Sequence, residues 1–476
     1  MPPSPSRAAR GRPRRSTAVA LAAAATLAVG LLGPGVASAD TVPPADDISS
    51  DNVTHVTNVP KPEAVSSVNS DLAFSGDYAI GGNYDGFVIY DISEPERPEI
   101  VSEVVCPGGQ GDVSVSGDLL YFSVDYARAN EDCGAPAVPT SDPDGFEGIR
   151  VFDISDKAAP EYVSAVRTDC GSHTNTLVPS KDGESDLLYV SSYSPRESFP
   201  NCQPPHDSIS IIEVPHDAPE DAAVVNEPVL FPDGGNHDQD NLLLPTQGCH
   251  DITVFAEKDI AAGACMGDGV LMDISDPVNP VVTERIQDPN FAFWHSATFT
   301  NNAETVMFTD ELGGGGAPTC TEEIGPERGA DAIYEIGGTD AEPELDFASY
   351  FKIERHQGDQ ICVAHNGSLI PVPGRDYFVQ SWYQGGVSVI DFNDPTDPKE
   401  IGYFDMDSRV EEGVRDNDTW STYYYNGYVF SSDIERGIDV LRLDDPRLRA
   451  AEQVHMDEFN PQSQPGYRPG RGHGRD

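Results

Sequence analysis

Eleven histidines are scattered through 476 residues, and four of them occupy the same place in a recurring local pattern. His173-Thr174-Asn175-Thr176-Leu177, His250-Asp251-Ile252-Thr253-Val254, His295-Ser296-Ala297-Thr298-Phe299 and His365-Asn366-Gly367-Ser368-Leu369 each set an imidazole four residues before an aliphatic or aromatic side chain. Neutral imidazole suits Fe, Cu, Zn or Ni. If a fold brings His173, His250, His295 and His365 together, they are candidate ligands for one such transition metal. A ligating histidine also needs an acceptor for its other ring N–H, and Glu311, Asp251 and Asp433 are the candidates for that role. Other catalytic signatures are missing: there is no G-x-S-x-G, no phosphate-binding P-loop, no H-E-x-x-H and no dinucleotide fingerprint.

Whether the histidines meet depends on the elements that carry them. Gly86-Phe-Val-Ile-Tyr-Asp-Ile-Ser-Glu-Pro-Glu-Arg-Pro98 returns around Asp153, Asp273 and Asp391, and more weakly around Glu213, Glu335 and Arg442. Counted from Asp91 to Arg442, those positions are 62, 60, 60, 62, 56 and 51 residues apart. Seven copies at nearly constant spacing mark an array of one supersecondary unit. Each unit reads as four short strands, rich in Val, Ile, Tyr and Phe and bounded by Gly, Pro and Asp. The first helical period appears near 447–456. The fold class expected is therefore all-β: a seven-bladed β-propeller of four-stranded antiparallel blades, which leaves only short protected edges. Residues 53–59 are expected to supply the outer strand of the last blade and close the ring.

These units resemble the LVIVD repeat of bacterial and archaeal exported or cell-surface proteins, over about Asn52 to Leu443. The resemblance implies a propeller and an exported location, and no settled activity. The recurring Asp91, Asp153, Asp273 and Asp391 are read as caps of a Pro-containing turn rather than as calcium ligands.

Counting strands places the start of every inner strand and the end of every second strand on one face, here the top. The first inner-strand position in the seven blades is Ser70, Gly111, His173, His250, His295, His365 and Ser421. Four consecutive blades thus present histidine at the mouth of the central channel, and three present small residues that leave room for water or substrate. Trp294, Trp382, Tyr383 and Trp420 are candidates for the walls of a pocket there. The eight cysteines fall in top-face loops, and the strand order predicts Cys106–Cys133, Cys170–Cys202 and Cys249–Cys265 within blades and Cys320–Cys362 between neighbours.

Composition sets the compartment. Arg7, Arg10, Arg12, Arg14 and Arg15 precede an apolar run and Ala37-Ser38-Ala39, the pattern of a cleaved signal peptide over 1–39. The Sec route is expected, with the twin-arginine route as the lesser alternative because large apolar residues do not follow Arg14-Arg15. Residues 40–476 hold 24 Lys+Arg against 80 Asp+Glu, which makes nucleic acid and anionic membrane surfaces poor partners. The apolar run is too short for a membrane span. A linker over 40–51, the propeller over 52–458 with a short helix at 447–456, and a disordered tail over 459–476 complete the expected organisation. The expected product is a secreted, monomeric binding or scaffold module. Its top face would take a protein, a glycan or a small ligand at a histidine-lined site. The alternative is a metal-dependent oxidoreductase or hydrolase.

Overall fold

The computed structural model describes residues 49–236, 245–339, 342–355, 360–405 and 418–467. The signal peptide read at 1–39, residues 40–48 of the linker and residues 468–476 of the tail lie outside the described residues.

Seven antiparallel sheets, taken in chain order, form seven blades of four strands, and in the first a short C-terminal strand adds a fifth. Their inner strands are Asn69–Ser75, Val113–Ser116, Thr174–Pro179, Asp251–Phe255, Trp294–Phe299, Gly367–Ile370 and Thr419–Tyr425, numbered here as blades 1 to 7. Val53–Val59 pairs with Gly437–Leu443 as the outer strand of blade 7, so the ring closes by joining the first strand to the last blade, as expected. The core is a series of layers between neighbouring sheets. Phe87, Phe122 and Phe152, for example, pack against one another between blades 1 and 2.

Two devices repeat around the ring. In every blade the outer strand carries one extra residue opposite the third strand. The shift falls between Ile89/Tyr90, Val151/Phe152, Ile211/Ile212, Leu271/Met272, Ile333/Tyr334 and Val389/Ile390, and at His55/Thr57 in blade 7. A bulge at this place raises the local twist, which each blade needs as it fans away from the axis. The second device is polar. Hydroxyls on inner strands donate to backbone carbonyls of the next blade: Ser114 to Asn175, Thr174 to His250, Thr253 to Ala297 and Ser421 to Ser70. Inner strands that would read as poor core segments are therefore bonded laterally.

The turn aspartates behave as caps. The Ser93, Ser155, Ser275 and Asn393 amides donate to Asp91, Asp153, Asp273 and Asp391 at 2.8, 2.8, 2.8 and 3.2 Å. Hydrogen bonds from the serines hold the Asp91, Asp153 and Asp273 carboxyls below their usual range.

The C-terminal segment differs from its sequence reading. In place of a helix over 447–456 there is a turn and a 3₁₀ segment at Ala451–Gln453. Residues 459–467, read as the start of a disordered tail, pack across the bottom of the channel. Glu458–Phe459 pairs with the inner strand of blade 1. Asn460 bonds both backbone groups of Val115, Ser463 donates to Leu177, and Gln464 bonds both backbone groups of Phe299. Side-chain amides here substitute for a neighbouring strand, satisfying backbone groups at the ends of inner strands. Among the described residues no helix is long and apolar enough to cross a membrane.

Candidate metal and ligand site at the channel mouth

The four histidines form a continuous arc. Ring centroids are 4.3 Å apart for His173–His250, 4.0 Å for His250–His295 and 4.3 Å for His295–His365. All four are buried. Burial, reinforced by neighbouring imidazoles, holds His250 and His295 well below the usual histidine range, and burial brings His365 down to about 3. Those three rings are neutral at pH 7, the state that binds metal.

The second ring nitrogens fix how each imidazole is presented. His173 Nδ1 is 3.0 Å from Asp125 Oδ2, and His250 Nδ1 is 3.2 Å from Asp251 Oδ1. His365 Nδ1 donates to the Trp420 carbonyl, which leaves Nε2 as the lone-pair nitrogen. His173 Nε2 and His250 Nε2 face each other at 2.8 Å. His295 Nε2 is buried with no hydrogen-bond partner.

Glu311 turns the arc into a mixed donor set. Its two carboxylate oxygens lie 4.0 Å from His295 Nε2 and 4.0 Å from His365 Nε2. One donor atom each from His295, Glu311 and His365 lies within 4.8 Å of the others, and the same holds for His250, Asp251 and His295. Burial pushes the Glu311 carboxyl up to about 8, against the Tyr383 hydroxyl that donates to it. Its position follows from the strand before it: the buried Asp310 carboxylate accepts N–H groups of Ala292, Phe293 and Gly329. That carboxylate ties the strand ending at Asp310 to the approach of the strand bearing His295. Tyr383 is held at φ 51°, a left-handed conformation uncommon for a bulky residue and characteristic of functional sites.

Above this floor lies a cavity of about 370 Å³ lined by His250, His365, Glu311, Tyr84, Tyr193, Tyr383 and Trp420, among others. A second, of about 220 Å³, shares Tyr193 and lies beside His173 and Asp125. The cysteines pair as expected, Cys106–Cys133, Cys170–Cys202, Cys249–Cys265 and Cys320–Cys362, and the second of these lines the smaller cavity.

Several expected roles change. Asp433 accepts backbone N–H groups of Asp418, Glu435 and Arg436; it caps a turn and, among the described residues, makes no hydrogen bond to a histidine. Trp294 and Trp382 are fully buried between sheets, leaving Tyr383 and Trp420 as wall residues. Sequence reading missed Asp125 as the acceptor for His173, because that carboxylate comes from the preceding blade. Its only signal was a strand-end acid on the same face.

Fold and site together define a seven-bladed β-propeller with a buried imidazole and carboxylate arc at one mouth of its channel. Residues 69–105 match the LVIVD repeat, and this stretch coincides with blade 1 from the start of its inner strand to the end of its outer strand. No curated protein matches the chain. Similar solved structures include the periplasmic gluconolactonase of Pseudomonas aeruginosa (12% identity, 77% of this chain and 89% of that one, TM-score 0.49). Another is the hydrazine synthase of Kuenenia stuttgartiensis (11% identity, 80% and 97%, TM-score 0.49). These likenesses are too distant to bear on activity.

Proposed function

We propose that this is an exported, monomeric binding propeller that holds one transition-metal ion at its channel mouth and presents it to a small ligand in the cavity above. His295, His365 and Glu311 are the nearest donors, with His250 and His173 continuing the arc. The observation that carries this reading is the orphaned, buried Nε2 of His295 beside a carboxylate and a second lone-pair nitrogen. A buried polar atom without a partner is costly, and two imidazoles with one carboxylate suit Fe(II), Zn or Cu. A bound ion would supply Lewis acidity or redox chemistry. The chain's own part is to keep the imidazoles neutral, to orient His365 through the Trp420 carbonyl and to hold Glu311 with the Tyr383 hydroxyl.

Metal analysis of protein recovered through its native export route tests this. We expect about one transition-metal ion per chain, lost in His295→Ala plus His365→Ala. Protein that stays metal-free after incubation with Fe, Cu, Zn and Ni sinks the proposal. Intact disulfides and an unchanged β-sheet circular dichroism spectrum establish that the variant folds.

A second reading, a metal-dependent oxidoreductase or hydrolase, is favoured by one feature: two of the donors, His365 and Glu311, line a cavity instead of being sealed in a core. Turnover by the metal-loaded protein that vanishes in Glu311→Gln, while metal content is retained, would select it. Export rests on the reading of residues 1–39 and on four disulfides, which suit an oxidising compartment; N-terminal sequencing of the mature chain is the check.

A further inference from the structure

Below the histidine arc the channel holds a second set of side chains with different chemistry. Asp71, Asp112 and Asp251 follow Ser70, Gly111 and His250 by one residue, on the inner faces of blades 1, 2 and 4, and each is at most 3% exposed. Asp71 accepts from the Tyr423 hydroxyl and the Leu72 amide through Oδ1 and from Gln462 Nε2 through Oδ2 at 3.1 Å. Asp112 accepts from the backbone and side-chain amides of Asn175 through Oδ2 at 2.7 and 2.9 Å. Asp251 Oδ1 faces His250. Among the described residues no lysine or arginine pairs with any of the three.

What remains unsatisfied is uniform in type. Asp112 Oδ1, Asp251 Oδ2, Asn175 Oδ1 and Gln462 Oε1 are buried and have no hydrogen-bond partner. All four are oxygens, and all are acceptors. Gln462 is the telling one, because it comes from the C-terminal segment and not from a blade. Its Nε2 donates to Asp71, which places its amide against the cluster, and it is only 5% exposed. Burial also pushes the Asp71 and Asp112 carboxyls above their usual range, with Asp71 adding to the shift of Asp112.

We infer that the middle of the channel binds a hard divalent cation of the calcium class, using carboxylate oxygens of Asp71, Asp112 and Asp251 with amide oxygens of Asn175 and Gln462. Calcium takes six to eight oxygens in irregular geometry and accepts such mixtures of carboxylate and amide. The unsatisfied atoms here are all oxygens, which separates this site from the imidazole-rich arc above it that selects softer ions; Asp251, whose Oδ1 faces His250, is the carboxylate that borders both. The three carboxylates do not all lie within 4.8 Å of one another, so the amide oxygens and waters complete the shell. The proposal uses none of the donors His295, His365 and Glu311 and stands whether or not a transition metal binds there.

The test uses the full mature chain, treated with EGTA and then titrated with Ca²⁺ alone. We expect one calcium per chain after gel filtration and a melting temperature that rises with calcium. Substitution by Tb³⁺ should give emission excited through tyrosine, since Tyr423 touches Asp71. Asp112→Asn plus Asp251→Asn, which keeps shape and removes charge, should abolish the stoichiometric ion and the terbium emission. His295→Ala plus His365→Ala should keep both. Calcium uptake unchanged in the double aspartate variant overturns the inference, because the ion then sits on the acidic surface. Absence of bound calcium and of any melting shift in the wild type also overturns it. If the double aspartate variant does not fold, Gln462→Leu, which removes the amide oxygen from the channel floor, must weaken calcium binding for the inference to stand.

Discussion

At the scale of single residues, position decides chemistry more than residue type does. Four histidines share one alignment position, yet their second nitrogens meet a carboxylate of the preceding blade, the adjacent aspartate, a threonine hydroxyl at 3.4 Å and a backbone carbonyl. Glu147, beside the smaller cavity, shows how burial sets a titration. Desolvation raises its carboxyl to about 7, from an ordinary value of 4.5. The folded state therefore disfavours the ionised form, and stability falls as pH rises from 4.5 to about 7. Glu147→Gln should match the wild type below that window and exceed it by about 3 kcal/mol above it, read from denaturant midpoints at several pH values. Equal stability at pH 8 would contradict this. Gly82 gives a steric counterpart: a Cβ there would sit 2.1 Å from the Gly111 carbonyl oxygen, whereas Gly76 has no atom within 4 Å but holds φ +58°. Gly82→Ala should thus cost about 3 kcal/mol and Gly76→Ala about 1 kcal/mol, compared by thermal melting.

At the scale of elements, strand number and order were legible because the repeat spacing is nearly constant and an Asp-x-Ser or Asp-x-Asn turn marks the end of four of the seven third strands. The cysteine pairing followed from strand order alone, since both members of every pair lie on loops of one face. The outer-strand bulge was not legible. Its extra residue is apolar or β-branched in blade after blade (Val101, Val163, Val225, Ile401), so it reads as one more strand position. The Cys320–Cys362 bridge spans 42 residues and links the loop after the second strand of blade 5 to the segment with His365 that precedes the inner strand of blade 6. Closing a loop of that length should contribute about 4 kcal/mol. Cys320→Ser plus Cys362→Ser should lower the denaturation midpoint under oxidising conditions and leave the fully reduced protein unchanged. A loss of the same size in the reduced state would mean that packing, not loop closure, is responsible.

At the scale of the whole molecule, the histidine arc was readable from sequence because a propeller converts one alignment position into one ring. The placing of Glu311 between His295 and His365, Asp125 as an acceptor and the channel floor were not, since each depends on side chains from different blades or from beyond the last blade. The C-terminal segment misled through composition: Asn460, Gln462, Ser463 and Gln464 look like a solvated tail, yet they supply the hydrogen bonds that inner-strand ends lack. Truncation after Asp457 should preserve the seven blades and lower the melting temperature. It should also speed amide exchange at Val115, Val254 and Phe299, measured by mass spectrometry; unchanged exchange there would show the segment to be dispensable.

That floor also bears on traffic. The segment bonded to Val115, Leu177, Val254 and Phe299 crosses the far end of the bore. Among the described residues that segment lies across the end of the channel away from the histidines. A ligand of the proposed site would then enter and leave by the opening above them, so a departing molecule and its successor would compete for the same passage.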